Sequence, residues 1–345
     1  MCEYRYTLIA KENYSEFYKK SQKLDFGPML LPKIYEDKLW GILVYKNNVL
    51  VAGWVGTKRI NNRIIASLYQ EVVYNSHPLI LEDSLSNESF SQQIIETAMS
   101  YAKKAGISNL VISQWSRHKY VYNLSNYIQK WHATFIIDVS IDSSKLKSAL
   151  GNKQRGAVNK AFRHNLQFTI CDNKNIDKDI IIFDNLRKST QRRSISKNAN
   201  SSMLMKSINY YKHILNNYDS RLISVSHDDK IIAMLLFLKS GSIIYPYYSG
   251  SDMESNRAYG ASAYMFWMLF MYAKEIGCKY FDMGGSPINP NKNHPAFSIY
   301  TFKKSFGGEY QEFSCGDIVI SKWKYNLVKS LKESRSFMRF FSTKM

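Results

Sequence analysis

One segment of the chain carries, in order, the strings Tyr245-Pro-Tyr-Tyr248, Arg257-Ala-Tyr-Gly260-Ala-Ser262 and Phe281-Asp-Met-Gly-Gly285. Apolar residues fill the stretch between the second and third strings, over a length typical of a buried helix. Short runs rich in aromatic residues flank that helix on both sides and are typical of strands. The segment therefore predicts a strand, a helix and a parallel strand, which is the unit of an α/β fold.

The same order of elements is predicted twice along the chain. Residues 39–113 carry a hairpin turned at Asn47-Asn48, a strand from Arg63 to Val73, a helix from Ser91 to Lys104 and a further strand. Residues 221–283 repeat the hairpin, the strand, the helix and the last strand. We therefore expect an α/β (α+β) fold with mixed sheets, built as two domains in tandem. The predicted divisions are an N-terminal domain (1–142), a C-terminal domain (143–320) and a basic amphipathic tail (321–345).

The composition is that of a folded protein with a large excess of positive charge. Of the 345 residues, 45% are apolar and 14% aromatic, which excludes disordered, collagen-like and disulfide-scaffold classes. The formal net charge of +19 attracts polyanions such as RNA, nucleotide phosphates or anionic lipid surfaces.

Cysteine usage and apolar runs predict a cytoplasmic protein without a metal site. The four Cys form no Cys-x-x-Cys pair and have no His at zinc-like spacing, so neither a metal centre nor a disulfide framework is expected. The N-terminal residues include Glu3 and Glu12 and lack the apolar core of a secretion signal. The most apolar run, residues 259–273, is shorter than the ~20 residues that cross a bilayer.

Cations concentrate in three parts of the chain. Residues 145–163 and 187–197 are basic runs, and each is either a solvated helix face or one wall of a substrate cleft. The tail from Lys322 interleaves cations with aromatic residues. It is expected either to pack on the first domain or to lie peripherally at the inner face of the membrane.

The loop Arg257-Ala-Tyr-Gly260-Ala-Ser262 approximates the pattern Arg/Gln-x-x-Gly-x-Gly/Ala. Backbone N–H groups at a helix start, a glycine that permits close approach and a nearby arginine together favour a pyrophosphate, such as that of coenzyme A. A helix-capping turn is the alternative interpretation. The residues expected to bind the donor are Arg257, Gly260, Ala261, Ser262, Tyr247 and Tyr248.

The order of Phe281-Asp-Met-Gly-Gly285 and Phe302-Lys-Lys-Ser-Phe-Gly-Gly-Glu309 resembles the C-terminal signature of Fem-type (FemABX) peptidyltransferases and their relatives in the GNAT acyltransferase superfamily. Phe135-Ile-Ile-Asp-Val-Ser140, with the basic helix after it, resembles the crossover into the second domain of that family. The stretch from Phe183 to Arg193 is similar to the family's helix with a Thr-x-x-Arg ending. Together these motifs span most of residues 135–315.

The resemblance implies two tandem GNAT-like domains and transfer of an acyl group to an amine or hydroxyl. In Fem-type enzymes the donor is an aminoacyl-tRNA and the acceptor a peptidoglycan precursor; related members use acyl-CoA such as acetyl-CoA. By the family's Phe-Lys-x-x-Phe-Gly motif, Lys303 matches the lysine near the reacting carbonyl. Arg192 or Arg193 matches the arginine that binds the precursor, and Arg155 is a further candidate for the acceptor site. A nucleotide- or lipid-linked envelope precursor is therefore the implied partner, with tRNA as a second.

Acyl transfer requires proximity, a neutral nucleophile and donors for the oxyanion. The Lys303 ammonium could supply such a donor, Tyr300 could protonate the leaving group, and Asp282 could accept a proton from the amine. Two of these have a structural alternative: Lys303 as a surface lysine, and Asp282 as a carboxylate that orders the Gly284-Gly285 turn. Pro246 marks either the point where two strands separate or a bulge.

A second class of function is compatible with the basic runs. In that alternative the chain is a non-catalytic module that binds RNA or an envelope polyanion through residues 145–163 and 187–197. It predicts binding without turnover.

Overall fold

The computed structural model describes residues 4–21, 24, 38–59, 69–85, 88–113, 131–171, 176–197 and 206–331. The chain divides into two compact units, Met1–Trp131 with Phe313–Met345, and His132–Glu312. These divisions differ from the predicted boundaries at 142/143 and 320/321. The strand that begins at Trp131 pairs within the second sheet, and a strand that begins at Gly316 returns to the first.

The first unit is a mixed sheet with helices. Its elements are β1 (Tyr4–Leu8), α1 (Lys11–Ser21), β2 (Leu39–Lys46), β3 (Val49–Arg59), β4 (Glu71–Tyr74), β5 (Leu79–Ile80), α2 (Glu88–Lys104), β6 (Asn109–Ile112) and β14 (Gly316–Val319). The strand order is β1-β2-β3-β4-β6-β14, with β5 beside β3. The pair β4 and β6 is parallel. Helix α2 buries Ile94, Ile95 and Ala98 completely, which anchors it to the core of this unit.

Two details of the first unit bear on the sequence predictions. Asn47 and Asn48 both have positive φ, 50° and 62°, as a two-residue hairpin turn requires, so the predicted hairpin is confirmed. Of the strand predicted from Arg63 to Val73, residues 63–68 lie outside the described residues, and β4 covers the end of it.

The second unit has its own mixed sheet. Its elements are β7 (Trp131–Asp138), α3 (Ser143–Ala149), α4 (Asn152–Arg163), β8 (Gln167–Ile170), α5 (Ile176–Lys197), α6 (Ile208–Asn217), β9 (Ser220–His227), β10 (Lys230–Ser240), β11 (Ile243–Ser251), α7 (Met253–Tyr259), α8 (Ala261–Glu275), β12 (Tyr280–Asp282), α9 (Phe297–Lys304) and β13 (Glu309–Ser314). The strand order is β13-β7-β12-β11-β10-β9-β8. Strands β11 and β12 are parallel, as the sequence predicts. The predicted fold class, mixed α/β sheets in two domains, is confirmed.

One predicted strand, from Tyr310 to Ile320, is in fact two. Strand β13 belongs to the second sheet and β14 to the first. Cys315 lies between them, and Gly316, the first residue of β14, has φ +147°, a conformation that residues with a Cβ rarely adopt. The backbone between the two strands therefore favours a glycine at this position.

Aromatic packing fixes the elements around the C-terminal motifs. Helix α8 is apolar around most of its surface and buries Phe266, Trp267 and Phe270. The ring of Phe270 lies 4.7 Å from that of Phe281 on β12, and Phe266 lies 5.6 Å from Phe302 on α9. Edge-to-face contacts of this kind add to the burial of apolar area. Helix α8 thus serves as core, as predicted, and holds β12 and α9 in fixed positions.

The described part of the tail packs on the first unit. Residues 322–331 are helical, and Val328 is 5% exposed. The hydroxyl of Tyr325 donates to Asp317 Oδ2 on β14, at 2.9 Å. The predicted packing of the tail on the protein is therefore confirmed over this stretch, while residues 332–345 lie outside the described residues. In the described ranges, no helix combines the length and the apolar character needed to span a bilayer.

Candidate active site

Strands β11 and β12 are paired at the start of β11 and separate toward their carboxyl ends. They pair in parallel at Ile243 with Tyr280 and at Ile244 with Phe281. Beyond this point β11 continues along β10, with a bulge that leaves Tyr247 as the extra residue between Pro246 and Tyr248. The sequence allowed two interpretations of Pro246, a point of strand separation or a bulge. Both apply, because β11 and β12 diverge just before Pro246 and the bulge in β11 begins at it. Divergence of this kind exposes backbone groups of β11 toward a ligand.

Lys303 lies in the last turn of α9, at the end of β12. Its Nζ donates to the carbonyl oxygens of Gly284, at 2.9 Å, and Gly285, at 2.8 Å. Burial lowers the pKa of Lys303 to about 8, and the carboxylate of Asp282 opposes that shift. The lysine is therefore mostly protonated at neutral pH but close to its titration range.

Asp282 is completely buried at the end of β12. Its Oδ1 accepts from the hydroxyl of Thr134 on β7 and from the N–H of Gly284, at 2.7 Å. Gly284 has φ +75°, so this turn favours glycine. These contacts fit the alternative in which Asp282 orders the turn. By shaping the turn, Asp282 positions the two carbonyls that hold Lys303.

Tyr300 lies one helical turn before Lys303. It is 7% exposed, its ring packs 5.5 Å from that of Phe135, and its hydroxyl donates to Asn289 Oδ1 at 3.1 Å. The structure thus brings Tyr300, Lys303 and Asp282 together around the end of β12.

The loop around Gly260 has a structural reason of its own. Gly260 ends α7 and starts α8 with φ +75°, and a Cβ there would lie 2.6 Å from the backbone oxygen of Ala157 on α4. The N–H of Ser262 donates to Asn256 Oδ1 at 2.8 Å, and Ala261 is completely buried. These facts match the helix-capping alternative: the close approach that Gly260 permits is to α4. Arg257 lies exposed on α7, and its role toward a donor stays a prediction.

Helix α4 connects this loop to the lysine. At its start, Gly151 N donates to the backbone oxygen of Ser305 at 2.8 Å, and Gln154 Nε2 donates to Ser305 Oγ at 2.8 Å. Ala157, which contacts Gly260, lies six residues along the helix from Gly151, or about 9 Å. Gly260 and Ser305, which follows Lys303 by two residues, therefore both contact helix α4.

The arginines predicted to bind the acceptor differ in their surroundings. Arg155 donates to Asn152 Oδ1 at 2.5 Å and to the Ser148 oxygen at 3.3 Å, so it links α3 to α4. Arg192 is exposed on α5, and the side chain of Arg193 lies outside the description. Their role in binding an acceptor stays a prediction. Within the described ranges, no group of three His, Cys, Asp or Glu forms a metal-binding cluster.

The fold buries beside β11 an arginine that is not among the site residues predicted from the sequence. Arg187 is 6% exposed, and its guanidinium lies 4.4 Å from the ring of Tyr248. The available signal was spacing, because Ile180, Phe183 and Arg187 share one face of a helix. In the sequence, Arg187 stands at the start of the basic run 187–197, whose charges suggest an exposed helix face.

Known proteins are similar to parts of this chain. Residues 152–295 match the family model of an acetyltransferase (GNAT) domain. Lipid II:glycine glycyltransferases from Staphylococcus saprophyticus and Staphylococcus haemolyticus are 30% and 29% identical to the chain over 102 residues. That match covers 29% of this chain, and 24% and 23% of theirs, so the chain aligns with about a quarter of these relatives.

Solved structures share the fold. A crystal structure of FemX superposes with a TM-score of 0.70 and 15% identity, covering 94% of this chain and 99% of that one. The C-terminal domain (DUF2156) of a putative lysylphosphatidylglycerol synthetase from Agrobacterium fabrum superposes with a TM-score of 0.54 and 12% identity, covering 81% and 84%. The matched GNAT model describes a transferase domain, which agrees with the predicted enzyme class. The resemblance found in the sequence is thus confirmed: residues 152–295 match a GNAT domain, a stretch of the chain is similar to lipid II:glycine glycyltransferases, and the fold is similar to that of FemX.

Proposed function

We propose that this chain is an acyltransferase that moves an acyl or aminoacyl group to an amine of a cell-wall precursor. The observation that carries the proposal is the Lys303 ammonium, held by the Gly284 and Gly285 carbonyls where β11 and β12 diverge. The GNAT domain match and the glycyltransferase names of the relatives support it.

The chemistry follows from the lysine. A protonated Lys303 has three N–H donors, and the two glycine carbonyls use two of them. The third is left for the carbonyl oxygen of an acyl donor. When the acceptor amine attacks the carbonyl carbon, a C–N bond forms, negative charge develops on the oxygen, and the C–O or C–S bond to the leaving group then breaks. A donor fixed in advance near that oxygen stabilises the charge as it forms.

The proton balance fits neighbouring groups. The attacking amine loses a proton to solvent or a nearby base, and the leaving alkoxide or thiolate gains one. Lys303, with its pKa lowered to about 8 by burial, can hold a proton at neutral pH and also release it to a strongly basic alkoxide. Tyr300 lies one turn away as the second candidate acid, with its hydroxyl on Asn289.

For the donor, an aminoacyl ester of tRNA fits better than acyl-CoA. At the start of α8, Asn256 already accepts from the backbone N–H groups of Gly260, at 2.9 Å, and Ser262, at 2.8 Å, which leaves fewer N–H donors there for a pyrophosphate. The basic runs that would attract tRNA remain available, with Lys153 and Arg163 exposed on α4. The acceptor is a nucleotide-linked or lipid-linked precursor. In this proposal the transfer takes place in the cytoplasm, and the C-terminal tail (321–345) lies near the inner face of the membrane.

A transfer assay with two donors and two acceptors tests the proposal. The full chain is incubated with glycyl-tRNA or acetyl-CoA, and with either a UDP-linked muramyl pentapeptide or its lipid-linked form. Mass spectrometry then detects the added group. Transfer from glycyl-tRNA to either acceptor supports the proposal, and transfer from acetyl-CoA alone reverses the donor assignment. Donor binding that is steeply salt-dependent, without turnover on any acceptor, would instead establish the basic-module alternative.

A further inference from the structure

Helix α5 buries a charged residue against β11. Arg187 lies on the same helix face as Phe183 and Gln191, and only 6% of it is exposed. A Cβ on Gly250 of β11 would lie 2.4 Å from the backbone nitrogen of Arg187, so the helix backbone rests directly on the strand. Arg187 is therefore held in a fixed position over the carboxyl-terminal half of β11.

The guanidinium group is enclosed mainly by aromatic rings. Its carbon lies 4.4 Å from the ring of Tyr248 and 5.5 Å from that of Tyr211. One long hydrogen bond runs from Nη1 to Gln191 Oε1, at 3.4 Å. A guanidinium has five N–H donors. Among the residues that the structure describes, no carboxylate lies within 4.0 Å of it, so most of this donor capacity is unused.

Arg187 makes no ion pair of its own among the described residues. Asp184, one turn earlier on α5, pairs with Lys188, whose Nζ lies 2.5 Å from Oδ2. The side chain of Asp184 is 4% exposed and that of Lys188 is 37% exposed, so a buried carboxylate lies one turn from Arg187 but pairs with the more exposed lysine. Burying a charge without a counterion is costly, and contacts with aromatic faces offset only part of that cost. The fold therefore presents a cation that an anionic ligand would neutralise.

Tyrosine hydroxyls complete the cluster. The hydroxyl of Tyr211 is buried and has no hydrogen-bond partner among the described residues. Burial raises the pKa of Tyr211, so this hydroxyl stays a donor. Because the bulge in β11 adds Tyr247 as an extra residue, both Tyr247 and Tyr248 reach Tyr210 on α6: the hydroxyls of Tyr247 and Tyr210 hydrogen-bond, and the ring of Tyr248 lies 6.4 Å from that of Tyr210.

We infer that this arginine–tyrosine cluster (Arg187, Tyr210, Tyr211, Tyr247 and Tyr248) binds a carboxylate of the acceptor. The inference rests on the proposed function and names the chemical group of the acceptor that this cluster binds. A carboxylate carries a single negative charge that would form the ion pair Arg187 does not make within the described residues, and its two oxygens match the fork of a guanidinium. A diphosphate would bring more negative charge than one arginine can balance.

The position of the cluster sets how far this carboxylate lies from the accepting amine. Tyr248 is four residues beyond Ile244, the last residue of β11 that pairs with β12, or about 13 Å along the strand. Lys303 lies at the end of β12, on the other side of the divergence. An extended peptide covers about 3.5 Å per residue, so the carboxylate lies a few residues from the amine that reacts near Lys303.

A binding experiment tests the cluster without any transfer. The full chain is titrated with N-acetyl-D-alanyl-D-alanine and, separately, with its C-terminal amide, and the arginine side-chain N–H resonances and the melting temperature are followed. We expect the acid to shift one arginine resonance and raise the melting temperature, and the amide to do neither. An equal response to acid and amide, or no response to the acid, overturns the inference.

Three variants make the test specific. Arg187→Met removes the charge and is expected to abolish the response to the acid while the melting temperature of the free protein stays equal or rises, because a buried charge without an ion pair is gone. Arg187→Lys keeps the charge and should retain a response at least tenfold weaker. Arg221→Gln, which removes an exposed arginine of β9, should respond like the unchanged protein. A lower melting temperature for Arg187→Met with binding unchanged would show that Arg187 is purely structural, and would overturn the inference.

Transfer kinetics then separate this inference from the proposed function. With the muramyl pentapeptide and its C-terminal amide as acceptors, the unchanged protein should show a KM at least tenfold higher for the amide, and Arg187→Lys should show a smaller ratio. The same comparison is made with an acceptor whose glutamate carboxylate is amidated. If transfer occurs but amidation of neither the C-terminal nor the glutamate carboxylate changes KM, only the inference fails. If the acid binds as expected but no acceptor is modified, only the proposed function fails.

Discussion

The Nζ of Lys303 lies 2.8 Å from the carbonyl oxygen of Gly285, so the last turn of α9 is tied to the turn that follows β12. Asp282 shapes the same turn by accepting from the N–H of Gly284. The ammonium group is therefore placed by backbone atoms, which cannot adopt alternative rotamers as side chains can. A donor fixed in this way needs little reorganisation when charge develops beside it.

Replacing Lys303 by alanine should lower the transfer rate while the fold persists. We expect a loss in kcat of about 10² to 10³, as for removal of one oxyanion donor. The assay is steady-state transfer with saturating donor, with circular dichroism to verify the fold. Lys292→Ala, which removes an exposed lysine of the preceding loop, is the matched control. An unchanged kcat in Lys303→Ala would remove this lysine from the mechanism.

The pH profile of transfer should report the lysine. Burial lowers the pKa of Lys303 to about 8, so its protonated form, and with it kcat, should decline as the pH rises through about 8. Arginine stays protonated throughout this range. In Lys303→Arg the descending limb near pH 8 should therefore be absent, whatever activity remains. If the descending limb of the pH profile lies at the same pH in both proteins, a group other than Lys303 causes it.

Two glycines with the same backbone conformation should respond differently to alanine. Gly260 and Gly277 both have φ +75°, but a Cβ at Gly277 would meet open space, whereas at Gly260 it would lie 2.6 Å from the Ala157 oxygen. Gly277→Ala should cost about 1 to 2 kcal/mol of unfolding free energy for the left-handed conformation. Gly260→Ala should cost about 1 to 3 kcal/mol more, because α4 must move. Urea denaturation measures both, and equal costs would contradict the close contact.

His77 should make the stability of the first unit depend on pH. It is completely buried and Nε2 lies 2.9 Å from the Ser314 oxygen; burial lowers the pKa of His77 to about 4, from 6.5 in an unfolded chain. Since the unfolded chain takes up the proton first, this contribution is fully present above pH 6.5 and is lost as the pH falls toward 4. The loss amounts to about 3 kcal/mol.

Unfolding by urea at pH 7 and at pH 4.5 measures that loss. In His77→Gln the difference between the two pH values should shrink, while in His294→Gln, which changes an exposed loop histidine, it should stay as in the unchanged protein. Equal pH dependence in all three proteins would show that His77 does not set it.

Much of the fold followed from local patterns. The helix from Ala261 was readable because its apolar run is too long for a strand, and the hairpin at Asn47-Asn48 because asparagine tolerates positive φ. The division of β13 from β14 was not readable, because the run from Tyr310 to Ile320 has one continuous strand-like pattern. Which sheet a strand joins depends on partners that are far away in sequence.

By itself, the sequence determined the two mixed α/β domains, the β11-α8-β12 unit and the motif that contains Lys303, because periodicity and short motifs are local properties. Only the tertiary structure decided that Gly260 faces Ala157 of α4, that Asp282 orders the turn which holds Lys303, and that Arg187 is buried between Tyr211 and Tyr248. Lys303 lies 19 positions from Gly284 in the sequence, and Gly260 lies more than 100 positions from Ala157. The physical reason is that a side chain acquires its burial, its partners and its pKa from whatever the packed fold brings beside it.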